Sequence, residues 1–188
     1  MASALDVAQC VYNEMGWVDS WRLQKLTYYA EAWHLAWFGT SLVDDCFEAW
    51  VDGPVCPVLY RENKSRTSTF SSDLRGANAA NLSIDQRAVV NSVLDFYGGW
   101  CKQQLIEKTH GELPWVEARE GLGKHAYSDR ELSRETMMRF YRQQEACGDP
   151  VSVRPPEAAR SWSGKELQAC FDKNVDRWSE AITLLADR

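Results

Sequence analysis

Histidine is scarce in this chain: His34, His110 and His125 are the only imidazoles available as bases. None stands in a pattern with a serine or cysteine, and P-loop, GxGxxG, GxSxG and HExxH signatures are all missing. His34, Glu48 and His110 have no spacing specific to a metal site. The six cysteines Cys10, Cys46, Cys56, Cys101, Cys147 and Cys170 form no CxxC pair and no zinc-finger spacing. No metal, cofactor or catalytic residue is therefore expected. Clusters of Lys and Arg are also lacking, with 21 basic against 27 acidic residues. Binding nucleic acid takes cationic groups that displace counterions from phosphates, so no nucleic-acid partner is expected. No stretch approaches the ~20 apolar residues that span a bilayer. The opening Met-Ala-Ser-Ala-Leu-Asp lacks the basic and apolar regions of a secretion signal. A cytoplasmic protein with reduced thiols and no membrane contact is the expectation.

What the chain does hold is aromatic bulk and uneven charge. Its 188 residues are 45% hydrophobic and 26% charged, the balance of a globular protein. One domain with an appended element fits that length. Nine tryptophans serve either a core or a contact surface, since large aromatics dominate both. Within residues 1–52, Arg22 and Lys25 stand against eight carboxylates. That acidic third is a solvated face, or a surface that attracts a basic partner.

Periodicity predicts mostly helices. Ser3 and Asp6 have capping-box spacing ahead of Leu5, Ala8, Val11, Tyr12 and Met15, and Gly16 ends that segment. Asp19 or Ser20 opens a second helix to Phe38, apolar on most of its circumference and so expected at the centre of the core. Alternation over Cys46–Val51 suggests a short strand, with a turn at Gly53-Pro54 and Pro57 starting a helix through Tyr60 to Lys64. Residues 65–82 read as a loop or weak hairpin. Further helices follow Ser83, span 101–108, run over 112–119 with Thr109 and Glu112 at capping-box spacing, and cover Arg134–Ala146. The fold class is mainly α, a single helical domain over 1–147 with a small β-hairpin or extended element. Residues 148–164 have a linker's composition, and 165–187 carry an apolar stripe from Leu167 to Leu185 that reads as a C-terminal amphipathic helix.

Three blocks of residues carry a resemblance. The first is Leu23-Gln24-Lys25-Leu26, then Tyr28-Tyr29-Ala30 and Trp33-His34-Leu35. The second is Phe47-Glu48-Ala49-Trp50, then Gly53-Pro54-Val55-Cys56-Pro57 and Leu59-Tyr60. The third is Leu105, Thr109-His110, Pro114-Trp115 and Ala118-Arg119. In this order and spacing they resemble the Panacea domain, the SocA-like antitoxin family encoded by bacteria and their phages, over roughly residues 5–143. The chain departs from the usual pattern at Thr27, Asp52 and Cys56.

The resemblance implies a non-enzymatic antitoxin that binds and neutralises a toxin encoded nearby. The alternative roles are an adaptor delivering a client to a protease, or a phage-encoded regulatory binding protein. A small hydrolase built on His34 or His110 is a third reading. The motif residues Tyr29, Trp33, His34, Trp50, Gly53, Pro54, Pro57, Tyr60, Thr109, His110, Pro114 and Trp115 are expected to be mostly architecture. Trp33, Trp50 and Trp115 are expected to anchor one core. Gln24, Lys25, Glu48 and Asp52 are expected to face outward as toxin contacts. Oligomeric state is left open.

Overall fold

A 19-residue helix supplies the axis around which the other elements are arranged. The structure is a computed structural model that describes residues 2–64, 72–147, Val153 and Pro156. The linker expected at 148–164 and the helix expected at 165–187 lie outside the described residues, apart from Val153 and Pro156. Seven α-helices occur among the described residues: α1 (Ala4–Met15), α2 (Ser20–Phe38), α3 (Pro57–Lys64), α4 (Ile84–Tyr97), α5 (Lys102–His110), α6 (Leu113–Ala118) and α7 (Arg134–Ala146). Strands β1 (Glu48–Trp50) and β2 (Gly53–Val55) form an antiparallel hairpin. The fold is mainly α, as the periodicity indicates.

Caps set the helix starts. The Ser3 hydroxyl accepts from Asp6 N–H while the Asp6 carboxylate accepts from Ser3 N–H, and Ser83 and Gln86 repeat that exchange for α4. The Asp19 carboxylate accepts from Trp21 and Arg22 N–H groups, both at 3.1 Å, and the Ser133 hydroxyl caps α7. Helix α2 ends at Gly39, whose φ of 71° closes the helix in a left-handed turn.

Every residue of α2 from Leu23 to Trp37 is buried. The helix packs against α7, α4 and α1, and also meets α3, α5 and β2. Polar residues within that buried run need internal partners, because an unpaired polar group in the interior is costly. Glu31 Oε2 accepts from the N–H groups of Leu42 and Val43 at 2.7 and 3.1 Å. Arg134 faces its other oxygen at 3.5 Å. The Thr27 hydroxyl donates to the Leu23 carbonyl, and His34 Nδ1 pairs with the Thr40 carbonyl at 2.7 Å while its ring stacks on Phe38. His34 is thus held by a hydrogen bond to Thr40 and a ring contact within its helix.

The core of the domain is a cage of tyrosines. Tyr29 stacks on Tyr97 with ring centres 4.0 Å apart, and Tyr141 meets Tyr28, Tyr29 and Trp33 edge-on. Glu112 projects into this cage. Its Oε2 accepts from the Tyr141 hydroxyl at 2.6 Å and the Tyr29 hydroxyl at 3.3 Å. Thr109 and Glu112, expected to form a capping box, do not: Thr109 lies inside α5 and its hydroxyl donates to the Ile106 carbonyl. Glu112 stands at the N-cap of α6 with its side chain turned to the tyrosines. Tertiary burial captured a carboxylate that local spacing assigns to a cap.

The hairpin also differs from its expected form. The turn falls at Val51-Asp52, and Gly53-Pro54 are the first residues of β2. Trp50 pairs with Gly53, Ala49 with Pro54 and Glu48 with Val55. Antiparallel pairs alternate between bonded and non-bonded positions. At the Ala49–Pro54 pair the backbone groups point away from the partner strand, so the missing proline N–H costs no ladder bond.

Candidate functional site

All three sequence blocks converge on that hairpin. From α2, the Gln24 side-chain amide mimics a strand partner: Cys56 N–H donates to its Oε1 at 2.8 Å, and its Nε2 donates to the Cys56 carbonyl at 3.3 Å. One residue on, Lys25 Nζ donates to the Pro54 carbonyl at 2.9 Å. From α6, Trp115 Nε1 donates to the Trp50 carbonyl and Arg119 to the Ala49 carbonyl, both at 2.9 Å. Arg119 also bonds the carbonyls of Gly123 and Ala126, and its guanidinium lies over the Trp115 ring. His110 stacks on the Trp115 ring at 4.1 Å and hydrogen-bonds the Val51 backbone.

Behind the hairpin, packing is tight enough to require glycine. Gly53 has φ of 95°, and a Cβ there would lie 2.7 Å from Thr109 Oγ1 and 2.8 Å from Lys25 Cε. The outer edge of β1 is filled too: Ala49 N–H donates to the Arg130 carbonyl and Leu132 N–H to the Phe47 carbonyl, both at 2.8 Å. Pro57 starts α3 one residue after β2, and Pro114 is buried near the start of α6. The hairpin is therefore held on both edges and from below.

Gln24 and Lys25 correct the expectation that they face outward. They are 4% and 1% exposed, because their polar ends are the clamps on β2. Burial lowers the Lys25 ammonium to about 7, with nearby Lys102 acting the same way and Asp52 opposing. Burial likewise lowers His110, helped by the Lys25 cation. The expectation that Trp33, Trp50 and Trp115 anchor one core is also corrected. Trp33 is fully buried in α2, whereas Trp50 and Trp115 are half-buried on the hairpin and α6. Their indole N–H groups explain the position: Trp50 donates to Glu48 Oε2 at 2.6 Å, and Trp115 to the hairpin backbone.

Above the clamped hairpin lies an open groove of about 400 Å³ between the start of α2, the hairpin tip and α3. Aromatic side chains dominate its wall: Trp21 is 42% exposed, Tyr60 37% and Tyr127 74%, beside half-buried Trp50. Trp50 and Tyr60 meet edge-on at 4.7 Å. Asp52, exposed at the tip, accepts a long 3.4 Å bond from Trp21 Nε1, and Lys25 and Gln24 form part of the floor. Gln24, Lys25 and Asp52 are thus brought together, with Trp50 and Tyr60. Glu48 lines a separate groove of about 840 Å³, where Asp44, Asp45 and Glu131 surround Arg61 and Arg134.

Trp21, Asn63 and Tyr127 are groove residues that the sequence reading did not single out. Trp21 had a signal, since it sits off the apolar stripe of its helix at the first turn after the Asp19 cap. Tyr127 lies outside the helices and strands, with no periodicity to mark it. Among the described residues no group of three or more His, Cys, Asp or Glu side chains is placed to hold a metal ion. No helix among them is long and apolar enough to cross a membrane.

The fold and site define a helical domain that presents an aromatic groove on a rigidly fastened hairpin. A family model described as the SocA-like antitoxin, Panacea domain, matches residues 23–116, and the chain belongs to that family. The match spans the three blocks up to Val116 and supports an antitoxin, non-enzymatic role with a toxin as partner. No curated protein and no solved structure matches the chain.

Proposed function

We propose that this protein neutralises its toxin by binding it directly, in the cytoplasm, with the groove face of the helical domain as the contact surface. The carrying observation is the groove itself. Partly exposed Trp and Tyr side chains, brought together from α2, the clamped hairpin, α3 and the segment at Tyr127, supply large contact area at small entropic cost. Trp21 and Tyr60 would act as anchors, and Asp52 at the tip as a polar contact. Gln24, Gly53, Pro54, Thr109, Trp115 and Arg119 act indirectly, by fixing the tip. In this reading 1–147 is the binding domain.

The test is co-expression with the neighbouring open reading frame under a second inducible promoter. Growth arrest by the neighbour alone, lifted by this chain, with the two proteins co-purifying, supports direct neutralisation. Lifted arrest with loss of the neighbour's protein, restored when a host protease is deleted, makes the chain a proteolytic adaptor instead. A harmless neighbour removes the antitoxin role.

A further inference from the structure

Strand addition, a common way to bind a protein at a β element, is closed to any partner here. The β2 edge is taken by Gln24 and Lys25, and the β1 edge by residues 130–132. Recognition in the groove must therefore come from side chains. The volume of about 400 Å³ sits in the lower range for ligand pockets and suits one large side chain with a polar group beside it.

The polar atoms there decide the sign of that group. Asn63 lines the groove, and its Nδ2 is buried with no hydrogen-bond partner. Lys25 Nζ on the floor has three N–H groups, of which the Pro54 carbonyl takes one. Both are donors, and a buried donor without an acceptor carries a penalty that an incoming oxygen relieves. Two of the groove's rings already face the chain's own lysines: Lys102 Nζ lies 3.5 Å from the Trp21 ring centre and Lys64 Nζ 5.8 Å from that of Tyr60. Lys25, Lys64 and Lys102 thus surround a groove whose lining carboxylate, Asp52, is bonded to Trp21. On a chain of net charge −6 this is a locally positive pocket.

We propose that the groove seats a segment of the toxin that places an aromatic side chain among Trp50, Tyr60 and Tyr127 and points a carboxylate at Lys25 Nζ and Asn63 Nδ2. This deepens, and rests on, the antitoxin reading.

The chemistry can be read without the toxin. The full chain, labelled with ¹⁵N at tryptophan, is titrated at pH 6 with 3-phenylpropionate, 3-phenylpropionamide and 2-phenylethylammonium, following the indole N–H signals of Trp21 and Trp50. At that pH Lys25, lowered to about 7, carries its charge. The carboxylate should shift both signals at millimolar concentration and bind about tenfold tighter than the amide, the difference expected of a hydrogen bond to a charged acceptor. In Asn63→Ala and in Lys25→Met that preference should fall toward unity. Equal or stronger shifts with the ammonium compound, or no shift with any of the three, overturn the proposal. Asn63 is half-buried at the end of α3, so its variant keeps the test open if Lys25→Met fails to fold.

In the co-expression assay, Tyr60→Ala and Asn63→Ala, shown folded by circular dichroism, should let the arrest return. If they protect as well as the unaltered chain, the groove inference falls and the antitoxin reading stands. If the unaltered chain does not protect, the antitoxin reading falls, and the titration decides the groove's chemistry by itself.

Discussion

Replacing Glu112 with Gln should remove a pH dependence of stability that the wild-type chain shows between about 4.5 and 7. The Glu112 carboxyl is buried, and burial raises it from 4.5 to about 7 against the opposing pull of Tyr141, Lys108 and Tyr29. The two tyrosine hydroxyls donate to a single oxygen, and Lys108 reaches the other only at 3.8 Å from a partly exposed position. The folded protein therefore holds the Glu112 proton more tightly than the unfolded chain does. This contribution is fully present below about pH 4.5 and is lost as pH rises through about 7. A gap of this size corresponds to about 3 kcal/mol, a large part of a domain's stability. Lys25 acts in the next window and with opposite sign. Its ammonium, lowered to about 7 by burial, leaves the folded state richer in the neutral amine, so stability is gained as pH rises from about 7 toward 10.5. His34 and His110, both lowered from 6.5 chiefly by burial, add to the pH dependence of the wild type and of the variant alike. The quantity to measure is therefore the difference between wild type and Glu112→Gln, in which they cancel. Urea unfolding followed by tryptophan fluorescence at half-unit steps from pH 4.5 to 8.5 gives it. Wild type should lose about 3 kcal/mol relative to the variant across the window. A difference that stays flat, or that grows in favour of wild type with rising pH, refutes the buried-proton account.

Gly53→Ala should destabilise by about 2 kcal/mol or more, since φ of 95° strains any Cβ and the added atom meets Thr109 and Lys25, both fixed by hydrogen bonds. A melting temperature within a degree of wild type would show that the hairpin is not seated as described. Gln24→Leu leaves the Cys56 N–H without its partner, at about 1–3 kcal/mol for the orphaned donor, while the Cys56 carbonyl keeps the Tyr60 N–H; hydrogen exchange at the Cys56 amide should accelerate with it, and unchanged protection counts against the clamp. His34→Ala and His110→Phe, the latter keeping a ring against Trp115, should retain protection in the co-expression assay when folded. Loss of protection in a folded variant of either would bring back a catalytic histidine.

Particular residues show where sequence reading reaches its limit. The helix starts at Ser3, Asp19, Ser83 and Ser133 were legible because a cap and its partner lie within three residues, and local chemistry decides between them. Helix α2 was legible as the central element because its apolar residues cover most of its circumference. The three blocks were legible as one family pattern, and the match over 23–116 bears that out. The reason the blocks occur together was not. Gln24 and Lys25 look like surface residues by type, yet their partners are backbone groups about thirty residues away, so the tertiary fold alone turns them inward. Glu112 had two local options, and a cage assembled from α2, α4 and α7 chose between them. Local pattern thus determined which segments are helical and where their apolar residues pack. Long-range packing decided that polar motif residues became clamps and buried titrating groups, and that Trp21, Tyr60 and Tyr127, distant in the chain, became one groove, because contacts between distant segments leave no period in the sequence.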